Sequence, residues 1–407
     1  MQVYILNPDY EILGMIDASE SVLWEKKYND IGEAEIYIPC STAYLELLKE
    51  DNYLYRYDDD MFCKIEGIAI ETDEEQGDYI IATAKDVCKI LSGRIVRWLI
   101  VYSGTVAGFI QKVLTDNVVN PAQSQRRIPN FRIDTSNFSE FTDSIEVSTF
   151  TDDLLNVIIS TCKAYNYGFR VSYDISVGEL VFRLYKGVDK ASGVGDEYIE
   201  FSPAFANILT SSYKTDKSNY KNVVYVGYKN ANDETQLLSL YNGATEPQGE
   251  ARQEVYIDGT GTSRDITYDE LLQMFPSLVK VTEKKNNENG EEIVTATYYS
   301  SADKVTAVAT SEGTGEDEKI TVTDYTYLLL IRSIGMNALA ERTATKEYSG
   351  NVDTVDTYEY KADYDLGDIV KVINEYGVEA EARIVSVMES EDNENGYQVE
   401  PKFEYLD

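Results

Sequence analysis

Apolar and polar residues alternate in strand-length runs at both ends of this sequence, and that period-two pattern commits most of the chain to β-structure. Val3-Tyr4-Ile5-Leu6, Glu35-Ile36-Tyr37-Ile38 and Tyr53 to Tyr57 read as strands; Phe62 to Ile70 is a longer one, and Tyr79 to Ala82 follows. Alternation resumes from Tyr358 to the end. Asp58-Asp59-Asp60 reads as a tight, solvated acidic turn, and Asp73 to Asp78 as another. The 33 tyrosines, against 12 Phe and 2 Trp, suit this pattern. Tyr favours strands, half-buried faces and subunit interfaces. With eight prolines in 407 residues, little of the chain reads as linker.

Helical periods interrupt the strands. Ser41 to Lys49 and Lys85 to Leu91 read as short helices. In Gly104 to Val119, residues Val106, Phe109, Ile110, Val113 and Leu114 share one face. Thr151 to Asn166 is a second amphipathic helix, with Asp152 and Asp153 in its first turn and Gly168 just past its end. A hairpin is expected from Gly168 to Ser176 and Glu179 to Lys186, and a strand over Asn222 to Tyr228. Residues 236–345 are the most polar and irregular part, with turn tips at 284–292 and 311–319. A helix led by Asp324 carries Tyr327, Leu330, Ile331, Ile334 and Ala338 on one face.

One internal echo stands out. A slide of 319 residues sets Lys64-Ile65 on Arg383-Ile384, Ile68 on Val387, Asp73 on Asp392, Glu75 on Glu394 and Gly77 on Gly396. Any β-meander in an acidic chain gives some such matches; the alternative is one small barrel built twice.

Charge and missing residue types remove many functions. Seventy-two acidic residues against 36 basic ones leave a formal charge of −36, which disfavours binding to nucleic acid or an anionic membrane. With no histidine there is no Ser-His-Asp or Cys-His catalysis and no His-ligated metal. Cys40, Cys63, Cys88 and Cys162 lack a CxxC spacing and read as free, mostly buried thiols of a chain folded in a reducing cytoplasm; a Cys-only metal site is the alternative. The amino terminus has no secretory pattern, and Tyr327 to Ile331 is far too short to span a bilayer.

Nucleotide and metal motifs fail on inspection. Gly259-Thr260-Gly261 and Gly313-Thr314-Gly315 lack the third glycine of a dinucleotide loop and the Lys-Ser/Thr of a phosphate loop. Glu391 to Gly396 superficially has the look of a calcium loop, but Lys402 stands where a bidentate Glu is needed. Calcium at Asp58-Asp59-Asp60 is conceivable, though a solvated turn fits better. Paired carboxylates could build a glycosidase, but among 72 acids no pair can be singled out. No catalytic residue, cofactor site or metal site is nominated.

The order of motifs resembles the tail hub proteins of long-tailed phages, the baseplate hub or N-terminal part of the tail-associated lysin, related in fold to the central hub of contractile baseplates. The matching stretches are Ser21-Val22-Leu23-Trp24 to Tyr28, Gly32 to Pro39, Lys64 to Ile68, Ala84 to Leu91 with Arg94, Ser202 to Ile208, and Lys221 to Gly227. Asp363-Tyr364-Asp365-Leu366-Gly367-Asp368-Ile369-Val370 then leads to Arg383-Ile384 and a Gly396 to Phe403 strand. Asp365, Leu366, Gly367 and Asp368 are the candidate structural motif. Their plain reading is a turn ended by Gly367 and solvated by its acids.

The resemblance implies a β-rich α+β fold. Two small antiparallel β-barrel domains and α+β accessory domains would assemble as a ring-shaped trimer. Residues 1–100 would form the first barrel, 101–200 an α+β domain, and 201–235 with 346–407 a second, discontinuous barrel, with 236–345 inserted. The implied function is a structural, non-enzymatic virion protein at the tail tip, made and assembled in the bacterial cytoplasm. It would adapt a sixfold tube to a threefold tip and form a DNA exit channel. Implied partners are two further copies, the distal tail ring and tube, the tape measure protein, and tip fibres or receptor-binding proteins; passing DNA is not bound and no membrane is entered. The sequence stops at Asp407, so no appended hydrolase or receptor-binding module is expected. The alternatives are a cell-wall hydrolase and a β-rich carbohydrate-binding adhesin.

Overall fold

The computed structural model describes residues 1–16, 19–73, 77–97, 99–149, 152–192, 198–205, 207–275, 277–286, 292–301, 303–313, 318–352, 358–373, 376–377 and 379–406. The amino-terminal alternation becomes strands β1 (Val3–Leu6), β2 (Ile12–Ile16), β3 (Ser21–Lys27), β4 (Glu33–Pro39), β5 (Tyr53–Tyr55), β6 (Cys63–Asp73) and β7 (Gly77–Asp86). Helix α1 (Thr42–Leu47) starts where the Ser41 side chain accepts the Tyr44 N–H, a standard N-cap. After β7 the chain tightens into a 3₁₀ helix, Val87–Gly93, capped by Asp86. Val3, Ile5, Trp24, Ile36, Ile38, Leu54, Ile65 and Ile80 fill the core on one face of these strands.

Next come β8 (Ile100–Thr105), α2 (Val106–Leu114), β9 (Phe131–Ile133), β10 (Ser144–Thr149), α3 (Leu154–Tyr165), β11 (Gly168–Asp174) and β12 (Glu179–Tyr185). Asp153 caps α3 by accepting the Asn156 N–H, and Asn166 ends it in the left-handed region at φ 55°. The apolar faces of α2 and α3 pack on β11 and β12. The same core takes in Leu6, Tyr53, Phe62, Val87, Cys88 and Leu91 from the first hundred residues. The 101–200 stretch therefore shares its interior with the amino-terminal sheet.

Residues 200–340 supply β13 (Glu200–Phe201), β14 (Ile208–Asp216), β15 (Val223–Lys229), β16 (Thr235–Tyr241), β17 (Glu254–Asp258), β18 (Asp265–Ile266), α4 (Tyr268–Met274), β19 (Val279–Asn286), β20 (Glu292–Tyr299), β21 (Ala307–Glu312), β22 (Lys319–Val322) and α5 (Asp324–Ala340). Among its described residues, the polar 236–345 region is thus regular. A five-stranded sheet runs β18-β22-β21-β20-β19, and a three-stranded one runs β16-β15-β17. Surface polarity of these strands hid that order. Buried Tyr327, Leu330, Ile331 and Ala338 put the expected face of α5 against both sheets. Strand β15, expected with the carboxy-terminal strands, pairs instead with β16 and β17. Of the expected turn tips at 284–292 and 311–319, residues 287–291 and 314–317 lie outside the described residues.

The chain closes with β23 (Thr345–Val352), β24 (Ile369–Ile373), β25 (Glu379–Asp392) and β26 (Gly396–Tyr405). The two expected barrels are corrected here: among the described residues no barrel closes. One thirteen-stranded sheet runs β14-β23-β26-β25-β3-β4-β7-β6-β5-β1-β2, with β24 and β13 branching from β25. The fourteen-residue β25 causes the fusion. Glu379 to Arg383 pair with β24, while Ser386 to Asp392 pair with β3 from the other end of the chain. The internal echo is a repeated hairpin inside this one sheet. β6–β7 and β25–β26 shift register between Ile65 and Gly67, and between Ile384 and Ser386, positions 319 apart. Both turns end in a positive-φ glycine, Gly77 at 94° and Gly396 at 71°.

Candidate functional site

Where β25 meets β3, charged side chains are enclosed rather than solvated. The Asp59 side chain is fully buried, and its Oδ2 lies 2.7 Å from both Lys26 Nζ and Lys361 Nζ. Its Oδ1 accepts Trp24 Nε1 at 3.2 Å and the Met61 N–H at 2.9 Å. Arg56, 1% exposed, joins Asp58 at 2.6 Å to Glu389 at 3.0 Å. Asp60 pairs with buried Arg170. The acidic triplet expected as a solvated turn is corrected accordingly. Asp58 and Asp60 reach the surface but face arginines, and Asp59 is sealed in because β3 and the 360s loop each bring an ammonium onto it.

Burial alone would raise the Asp59 pKa; Lys26 and Lys361 outweigh it and hold the carboxyl well below the usual range. Glu25 behaves alike. Burial opposes its charge, but Lys402 at 2.8 Å and the Ser386 hydroxyl at 2.7 Å bring it down to about 2. Asp86 goes the other way: burial raises it to about 6, with Arg170 opposing. That value would suit a general acid. Yet Asp86 is 5% exposed and its carboxylate caps the Cys88 N–H at 2.8 Å, so it has structural work and no open face.

The Asp365-Leu366-Gly367-Asp368 turn forms the second half of this joint. Gly367 sits at φ 95°, and a Cβ there would meet the Tyr28 ring at 2.3 Å. Gly187, just past β12, passes so close that a Cβ there would fall 1.9 Å from the Gly367 carbonyl. Asp365 is exposed, as a solvating acid should be, but Asp368 is 3% exposed. Its Oδ1 accepts the Val188 N–H at 2.7 Å, and its Oδ2 accepts the Asp365 N–H at 2.9 Å and lies 2.9 Å from Lys190 Nζ. Leu366 is buried with Tyr28, Phe201, Tyr364, Ile384 and Phe403. Arg383 donates to the Gly367 carbonyl at 2.7 Å. Tyr28 donates to the Asn166 carbonyl at 2.9 Å, so three parts of the chain meet on one ring.

Sequence reading nominated the Asp365 to Asp368 turn but not Tyr28, Lys26, Arg56, Arg170, Lys361 or Glu389. Their one signal is a basic residue among acids and aromatics, as in Tyr358-Glu359-Tyr360-Lys361, which identifies no partner. Elsewhere a cavity of about 410 Å³ opens between α4, α5 and the loop at Gly259. Its acids are engaged locally: Asp258 by Thr260, Asp265 by Lys319, and Glu270 by the α4 capping box. The four cysteines are free thiols, and Cys63, Cys88 and Cys162 are buried. No described helix is long and apolar enough to cross a membrane.

A family model described as siphovirus ReqiPepy6 Gp37-like protein matches residues 2–403. Among solved structures, the chain is similar to a tail protein from Neisseria meningitidis MC58, at 11% identity and TM-score 0.47, covering 99% of this chain and 95% of that one. It is similar to the prophage MuSo2 43 kDa tail protein from Shewanella oneidensis, at 10% identity and TM-score 0.45, with 99% and 98% covered. A third is prophage tail protein gp18 from Listeria monocytogenes EGD-e, at 11% identity and TM-score 0.41, with 99% and 94% covered. No curated protein matches the chain.

Proposed function

The chain belongs to the siphovirus ReqiPepy6 Gp37-like family, and we propose that it is a structural virion protein, the trimeric hub at the tail tip. The observation that carries this reading is the family match from residue 2 to 403. The fold supports it. One sheet spans both ends of the chain and repeats a bulged hairpin at a 319-residue spacing, so in a ring each subunit would contribute two similar hairpins. Three such subunits offer six similar units, the arrangement that adapts a sixfold tube to a threefold tip. In this reading the buried contacts at Asp59 and Gly367, which tie the two ends of the chain together, would keep the subunit's shape constant within a closed ring.

In this reading the hub sits between the distal tail ring with its tube and the tip fibres or receptor-binding proteins. The tape measure protein ends on it, and DNA leaves through its centre. With a charge of −36 on each copy, an acid-lined channel repels phosphate, so DNA slides without deep binding minima. Screening limits that repulsion to about 8 Å at physiological salt, so lumen-facing acids decide it. The test is light scattering with class averages of the purified protein. A threefold ring with a pore is expected, and a clean monomer at micromolar concentration would overturn the assignment. Measurable duplex-DNA binding at 150 mM salt would defeat the acid-lined channel.

A further inference from the structure

Two blocks of four antiparallel strands in the large sheet share one order and one register. The first is β3-β4-β7-β6 and the second β14-β23-β26-β25. Their hairpins coincide at the 319-residue spacing. Ile65 faces Ala84 where Ile384 faces Phe403, and Asp73 faces Gly77 where Asp392 faces Gly396. One strand further, Glu33 of β4 pairs with Lys85, as Glu347 of β23 pairs with Glu404. At the far side, Glu35 of β4 pairs with Leu23 of β3, as Ser349 of β23 pairs with Ser212 of β14. β6 therefore corresponds to β25, and β3 to β14.

Inside the chain, the last strand of the second block joins the first strand of the first. β25 pairs antiparallel with β3, from Ser386 opposite Lys27 to Asp392 opposite Ser21. The corresponding strands, β6 and β14, are left as open flanks. β5 takes only Cys63 and Lys64 of the eleven-residue β6. From Glu66 to Asp73 that side of β6 has no strand beside it among the described residues, and β14 pairs with β23 alone. Open edges are normally guarded by Lys, Pro or a covering loop. This half of β6 holds neither Lys nor Pro, and its Ile70 is 56% exposed.

We infer that β14 of a neighbouring copy adds to the open edge of β6, which rests on the ring assembly proposed above and specifies its seam. The register of the β25–β3 junction carries over residue by residue. It sets Gly67 opposite Asp216, Ala69 opposite Lys214 and Asp73 opposite Thr210 of the next copy. Main-chain hydrogen bonds supply the attraction, as in strand addition generally. Charge fits the same register. Glu71 is exposed on this half of β6, and Lys214 and Lys217 are exposed on β14 and the turn after it. Lys214 stands one diagonal step from Glu71 on the same face, within reach of a long side chain. The contact is heterologous, so it repeats head to tail and alternates with the internal β25–β3 junction around a closed ring.

The experiment oxidises the purified Ala69→Cys/Lys214→Cys chain and reads its covalent products on a non-reducing gel; both positions are exposed. Directly opposite antiparallel residues have Cα atoms about 4.5–5.5 Å apart, within disulfide range. Within one chain seven strand spacings, roughly 33 Å along the sheet, part β6 from β14, so the bond must join two copies. Ile70→Cys/Lys214→Cys is the register control, because a one-residue offset puts the thiols on opposite faces. The single-cysteine variants give the background from Cys40. Light scattering reports the assembly of the wild type, and circular dichroism the folding of each variant. A trimeric wild type is expected, with a covalent ladder ending at three chains that is at least about fivefold stronger for the matched pair than for the controls. A trimeric wild type whose folded matched pair links no better than the controls overturns the seam and leaves the hub reading standing. A monomeric wild type overturns both. Dimers formed equally well by Ala69→Cys alone overturn β14 as the occupant and give the edge to a twofold β6–β6 contact.

Discussion

Replacing Asp59 by Asn removes one charge and little else. The amide keeps an acceptor for Trp24 Nε1 and the Met61 N–H, so the loss falls on the oxygen that two ammoniums share. Lys26 is 3% exposed and Lys361 about a third exposed. Removing one partner of a buried ion pair costs about 3–5 kcal/mol. Asp60 at 3.8 Å from Lys26 and Glu389 at 3.6 Å from Lys361 offer partial replacement, so about 3 kcal/mol is the expected loss. For a cooperative unit of 150–250 residues that lowers Tm by roughly 6–12 °C. The pH dependence has a definite sign. The folded carboxyl lies below its ordinary value of 3.8, so its contribution is complete above that pH and disappears as pH falls through the folded value. The gap between wild type and variant should hold from pH 7 to about 5 and narrow below about 4. Near-UV circular dichroism melts across that range are the assay. A variant melting within 2 °C of wild type at pH 7, or a gap that widens in acid, would refute the account of Asp59 as the anchor of the joint.

Other substitutions read the joint and the core directly. Gly187→Ala forces a Cβ into the Gly367 backbone and Gly367→Ala forces one into the Tyr28 ring at φ 95°; each should lose about 3 kcal/mol or fail to fold, by thermal melt and soluble yield. Gly396→Ala, at φ 71° with open space around it, should cost only about 1 kcal/mol. Glu25→Gln should flatten acid unfolding between about pH 4.5 and 2, because the native carboxyl is stabilising above its unfolded pKa and loses that effect as it protonates. Burial also pushes the Cys63, Cys88 and Cys162 thiols up, so a thiol reagent at pH 8 should label Cys40 first and reach the other three after denaturation.

Sequence alone determined what depends on a few neighbouring residues. Alternation marked β1, β4, β5 and β6, and the face of α5 was legible from Tyr327, Leu330, Ile331 and Ala338. The 319-residue echo reported a repeated hairpin, including the glycine each turn requires. A glycine after Asp365-Leu366 marked a turn, and Gly367 stands there in the left-handed region. Only the tertiary structure decided that β25 joins β3, about 360 positions away in sequence, and so that the strands form one sheet in place of two barrels. It also decided which acids are buried. Asp58, Asp59 and Asp60 are chemically alike in sequence, and Asp59 differs because Lys26 and Lys361 converge on it from opposite ends of the chain. Asp368 is buried for the same kind of reason: Val188 and Lys190, on a segment 180 residues earlier, supply its donors. Strand period and turn conformation are set by local sterics and side-chain direction. The cost of burying a charge is set by whichever groups surround it after folding, and no stretch of sequence around the charge records them.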